Sequence, residues 1–156
     1  MNELHRNITV ERVVDLFADT LVIRGNQTSR RDEARMASVE LNSANFESTI
    51  TEPGTVFVDF WAAWCGPCRN FAPVFESASE KYPDITFGKI DTEAEQQLAA
   101  AANITSIPTL MAFRDGILVF SQPGALPAEA LEDLIGQVQG LDMEAIKKDI
   151  AAGTKA

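Results

Sequence analysis

Cys65 and Cys68 are the only cysteines in this 156-residue chain, and two residues separate them. A structural zinc site takes four ligands, usually Cys or His. The single histidine, His5, stands about sixty residues upstream, so one C-x-x-C pair builds no such site. A bridge between residues this close closes almost no loop and staples almost nothing. The pair is therefore either redox chemistry or a coincidence of two small buried side chains. A second residue out of place is Asp59, a carboxylate within the β-branched and aromatic run TVFVDFW over 55–61. Desolvation in such a strand raises a carboxyl pKa and lets the group exchange protons near neutral pH. The alternative for Asp59 is a hydrogen-bonded structural carboxylate.

These residues require elements that hold them. A short extended piece over 39–41 precedes a helix starting near Ser43 or Asn45, with Phe46 and Ile50 on one face, and Glu52-Pro53-Gly54 breaks it. The run 55–61 predicts a central strand covered on both faces. After Cys68, the residues Phe71, Val74, Phe75 and Ala78 keep helical period to about Lys81, with Pro73 inside. A strand over 85–90 and a helix over 93–102 follow. Strands over 109–113 and 117–122 are joined through Arg114-Asp115-Gly116, a hairpin signal. Pro127 is placed to open a last helix through Leu131, Leu134, Ile135 and Val138. Met143, Ile146 and Ile150 leave a weak helical pattern beyond it. A βαβ half, then a hairpin and a helix, implies an α/β fold with one mixed sheet between helices.

Composition sets outer bounds. With 46% hydrophobic and 23% charged residues the chain reads as globular, neither disordered nor fibrous. No window approaches the roughly 18 uncharged apolar residues of a membrane span. A net charge of −10 and a pI near 4.5 argue against nucleic acid as a partner. That charge is uneven, because residues 1–35 hold six Arg against six Asp or Glu. Over 9–23, Val10, Val13, Val14, Phe17 and Leu21 predict an amphipathic helix, and the polar stretch 25–33 reads as a flexible linker. Residues 1–35 are thus expected to be an N-terminal extension, or sequence upstream of a start at Met36. Acidic and basic residues interrupt any signal-peptide core, which predicts a cytoplasmic protein.

The segment Trp61-Ala62-Ala63-Trp64-Cys65-Gly66-Pro67-Cys68-Arg69 closely resembles the active-site signature of the thioredoxin family. The likeness extends to Val58-Asp59-Phe60, Ala72-Pro73, Lys89-Ile90-Asp91, Ile107-Pro108-Thr109 and Gly124-Ala125. It spans 38–139, leaving 140–156 as a C-terminal tail. Arg69-Asn70-Phe71-Ala72-Pro73 and the stretch 97–102 are most similar to bacterial thioredoxins of the actinobacterial B type.

The resemblance implies a thioredoxin-like fold and a protein-disulfide reductase. Cys65, at a strand-to-helix junction where the helix N-terminus favours a thiolate, would be the attacking nucleophile, and Cys68 the resolving thiol. Asp59 would take the Cys68 proton, with Lys89 modulating it, and Gly66-Pro67 goes with a reducing rather than an oxidising member of the family. The family's cis-proline loop corresponds to Ile107-Pro108. Trp64, Gly66, Pro67, Ile107, Pro108, Gly124 and Ala125 would form an apolar docking surface. Trp61 is expected to pack beneath it. Expected partners are client proteins with disulfides and a thioredoxin reductase, through which NADPH is used indirectly. No cofactor or metal of its own, no membrane contact and a monomeric state are expected. The other readings are a thiol oxidase or isomerase of the same fold, and a non-catalytic binding or chaperone module.

Overall fold

The computed structural model describes residues 38–153. The amphipathic helix and linker expected before Met36 lie outside the described residues. Ten elements follow one another: β1 (Val39–Glu40), α1 (Phe46–Thr51), β2 (Thr55–Trp61), α2 (Gly66–Lys81), β3 (Thr86–Asp91), α3 (Gln96–Ala101), β4 (Thr109–Arg114), β5 (Ile117–Pro123), α4 (Ala128–Gln139) and α5 (Met143–Ala151). The strands form one sheet in the order β1-β3-β2-β4-β5. The first three are parallel, whereas β4 runs antiparallel to β2 and to β5.

Alternation along β2 divides the core between the two sheet faces. Val56, Val58 and Phe60 pack with Leu41, Phe46, Ile50, Leu98, Met111 and Phe113, on the side of α1 and α3. Phe57 packs with Phe71 and Phe75 of α2 and with Leu131 and Ile135 of α4. Asp59 and Trp61 share the parity of Phe57, so they point toward the α2 side. The nearly continuous apolar run of β2 is thus explained by burial on both faces.

Two glycines are required by their surroundings. At Gly88 of β3, an added Cβ would overlap Cδ1 and Cγ of Leu41, so the absent side chain lets the residue after β1 close over the sheet. At the β4–β5 turn, Asp115 and Gly116 both have positive φ, 51° and 80°, the conformation that a two-residue Asp-Gly hairpin demands.

Strand boundaries fall within one residue of expectation, and three helical regions depart from it in other ways. The helix predicted over 93–102 begins only at Gln96, because residues 92–94 form a turn after β3. Pro127 is the residue capping α4, with extended backbone, rather than its first helical residue. The stretch after 140 carries α5, capped by Asp142 Oδ1, which accepts from the Ala145 N–H at 3.1 Å. Met143 is buried in the core on the α2/α4 side, and Ile146 and Ile150 pack against it. Among the described residues no helix is long and apolar enough to cross a membrane.

Candidate active site

Strand β2 ends at Trp61, and the chain turns through Ala62–Trp64 into α2. Cys65 is the residue that caps this helix. Its backbone is extended, and its Sγ accepts from the Cys68 N–H at 3.2 Å. The first turn of a helix leaves N–H groups without intrahelical partners. Here Pro67 has none to offer, Cys68 gives its own to the sulfur, and no acidic side chain stands in the turn. A thiolate at this position would gain both the hydrogen bond and the positive end of the helix dipole.

Cys65 and Cys68 form a disulfide, with their Cα atoms 5.2 Å apart. Both are buried, and they cluster with Ala62 while Trp61 and Ile107 pack against them. The Ile107–Pro108 peptide is cis, and Cys65 Sγ lies 3.7 Å from the Ile107 carbonyl oxygen. Pro108 is buried rather than part of an open surface. Its carbonyl accepts from the Gly124 N–H at 2.7 Å, which ties the 124–125 loop to the proline loop. Gly124 has φ 108°, and a Cβ there, or at Gly66, would meet nothing within 4 Å. Pro67, Gly124 and Ala125 are exposed and Ile107 is half-buried.

Asp59 is wholly buried, 0% exposed. Its face of the sheet is the one covered by α2, between Phe57 and Trp61, and Trp61 packs against the cysteines. Neither carboxylate oxygen has a hydrogen-bond partner, nor does the buried Nε1 of Trp61. Burial pushes the Asp59 carboxyl up from 3.8 to about 7, and the ammonium of Lys89 works against that rise. Lys89 stands beside Asp59 in the parallel register of β2 and β3, and its Nζ sits 5.1 Å from the centre of the Trp61 ring. Trp61 therefore packs beneath the cysteines, as expected, and also carries the cation.

Trp64 is 67% exposed. Its indole N–H donates to Glu93 Oε1 at 2.8 Å. Glu93 is the residue that the sequence reading missed as part of the site, having been assigned to a helix. The signal that could have found it is the Asp91-Thr92-Glu93 sequence directly after a strand, a turn-forming rather than a helical combination. Among the described residues no group of three or more His, Cys, Asp or Glu side chains could hold a metal ion.

A disulfide-forming cysteine pair at a helix N-terminus, with a buried carboxyl on the face of the sheet that this helix covers, marks a thiol–disulfide oxidoreductase. The family model for thioredoxin matches residues 37–137. A Streptomyces coelicolor protein provisionally named thioredoxin 2 is 54% identical over 115 residues, covering 74% of this chain and 86% of that protein. The thioredoxin of Bacillus subtilis is 39% identical over 103 residues, 65% of this chain and 98% of its own length. A solved structure of Plasmodium falciparum thioredoxin superposes with a TM-score of 0.59 at 36% identity, covering 64% of this chain and 97% of that one. The chain belongs to the thioredoxin family, and it is a protein-disulfide reductase acting on disulfide-containing client proteins.

Proposed function

We propose that reduction proceeds by two exchanges divided between the cysteines. The Cys65 thiolate attacks one sulfur of a client disulfide, forming a mixed disulfide and releasing the other client sulfur as a thiolate. Cys68 then loses its proton to Asp59 and attacks Cys65 Sγ, which forms the Cys65–Cys68 bond and releases the second client thiolate. Two electrons leave the dithiol, and the client gains both. The observation that carries this assignment is Cys65 as the capping residue of α2, with its sulfur accepting the Cys68 N–H. That contact favours a thiolate on Cys65 and faces Cys68 toward it.

Asp59 is the proton acceptor in this scheme, since its carboxyl near 7 can take a proton at neutral pH and give it up again. Lys89 tunes that carboxyl. The open faces of Gly66, Pro67, Gly124 and Ala125, with Ile107 and the exposed Trp64, receive the client segment. Gly66-Pro67 favours the reducing direction. Re-reduction falls to a thioredoxin reductase drawing on NADPH, so the chain needs no cofactor of its own, and the cytoplasm is the compartment that suits this chemistry.

Reduction of insulin disulfides with dithiothreitol as electron source tests the scheme. Turnover is expected to accelerate with the wild-type protein and to vanish in Cys65→Ser, whereas reduced Cys68→Ser mixed with insulin without dithiothreitol should stop at a mixed disulfide. Full activity of Cys65→Ser would overturn the assignment.

A further inference from the structure

Among the described residues Trp64 is the one large hydrophobic side chain that is strongly exposed. An indole left in water can satisfy its N–H with solvent, so a bond to a protein carboxylate adds little stability but fixes where the ring stands. Glu93 makes that bond, and Glu93 is itself held. Its N–H donates to Asp91 Oδ1 at 2.9 Å, and its carbonyl accepts from Gln96 Nε2 at 3.3 Å. The loop carrying it is tied to the end of β2. The N–H and the hydroxyl of Thr92 both donate to the Trp61 carbonyl, at 2.9 and 3.1 Å. The N–H of Glu95 closes the turn onto the Asp91 carbonyl at 2.9 Å. The strut thus starts three residues before Trp64 and ends on its ring.

We propose that Glu93 is a positioning residue for client docking, holding the Trp64 indole upright beside Cys65 before a client arrives. The client class is an extended protein segment carrying a disulfide. Such a segment finds the wall in place and is spared the entropy of ordering a large side chain on binding. The carboxylate acts through the indole and touches neither the sulfur nor the proton that moves. This inference rests on the reading of Trp64 as part of the docking face.

The experiment is single-turnover oxidation of the reduced protein by insulin, followed by loss of thiols as insulin concentration is varied. It yields a half-saturating concentration and a limiting rate. Glu93→Ala is expected to raise the half-saturating concentration about two- to tenfold, with a limiting rate within about a factor of two of wild type. In nitrogen-edited NMR the Trp64 indole N–H should move and exchange faster with water. Glu93→Gln keeps an acceptor oxygen without the charge, and should restore both readings. An unchanged half-saturation in Glu93→Ala, where Trp64→Ala raises it, overturns the positioning role while leaving the docking face intact. A Glu93→Gln defect as large as that of Glu93→Ala also overturns it, because the effect would then be attraction of cationic clients by the charge. If Trp64→Ala leaves half-saturation unchanged, the docking reading falls and this inference with it.

Discussion

Two aspartates, one buried within β2 and one at the β4–β5 turn, have contrary environments. Asp59 is buried with both oxygens unpartnered, and its carboxyl is raised to about 7. Asp115, at the β4–β5 turn, accepts from the Gly54 N–H at 3.0 Å and from Lys147 Nζ at 3.0 Å, and these bonds, the Gly54 amide first, hold its carboxyl below the usual value. Its neighbour Arg114 extends the pattern. One guanidinium nitrogen donates to the carbonyls of Val138, Gln139 and Leu141, closing the C-terminal end of α4 and the turn into α5. The hairpin end satisfies its polar groups and adds to stability. At the cysteine end one carboxyl is buried instead, and its desolvation keeps it able to exchange protons at neutral pH.

Substitutions at the two ends should therefore differ in kind. The largest effect is on the reaction: Cys65→Ser, which keeps a capping oxygen, should remove insulin reduction altogether while the thermal unfolding midpoint stays close to that of the reduced wild type. Next is Asp59→Asn, which should slow resolution of the mixed disulfide by about 10²-fold in stopped-flow measurements. The same variant should be relatively more stable at high pH. The folded carboxyl titrates above its unfolded value, so below about pH 4 both states are protonated and no penalty exists. The penalty grows as pH rises and is complete above about 7. The interval from 3.8 to about 7 corresponds to about 4 kcal/mol. Urea unfolding of wild type and variant at pH 4 and pH 8 should show their stability difference moving by that amount in favour of Asp59→Asn.

At the hairpin end the signs reverse. Arg114→Met should lose about 2 kcal/mol in urea unfolding, the scale of hydrogen bonds to a charged group, with the rate per folded molecule unchanged. Smallest is Lys147→Met, which removes a half-exposed ion pair and should cost less than about 1 kcal/mol at pH 7. The stabilisation that Asp115 draws from its bonds is present above its unfolded pKa and fades as pH falls through the lowered folded one. A loss of stability in Asp59→Asn at pH 8 relative to pH 4, or a redox defect in Arg114→Met, would break the contrast.

Features written in neighbouring residues were legible before any coordinates. Asp115-Gly116 announces its hairpin because only a few residue types tolerate positive φ. The run over 55–61 announces a strand buried twice, and Asp59 stands out within it by type alone. The cysteine spacing announces chemistry by what it fails to staple. Glu93 was hidden, because its neighbours continue an Ala- and Gln-rich helical pattern. Its role follows from the register that sets Trp61 beside Asp91, and register is a tertiary fact. The same holds for Lys89 over the Trp61 ring and for α5, whose sparse apolar residues are too few to declare a docked helix until the surface they cover is seen.

In the proposed scheme the sulfur of Cys65 is the reacting atom, and it is also the acceptor that caps the N-terminus of α2. Any replacement at this position therefore edits a helix end as well as a reaction. Serine retains an oxygen suited to capping, whereas alanine does not, and that difference is worth about 1 kcal/mol in typical helices. Two variants equally dead in turnover should then melt at different temperatures, with Cys65→Ala below Cys65→Ser. The gap between them measures how much of the fold the nucleophile supports when it is not reacting.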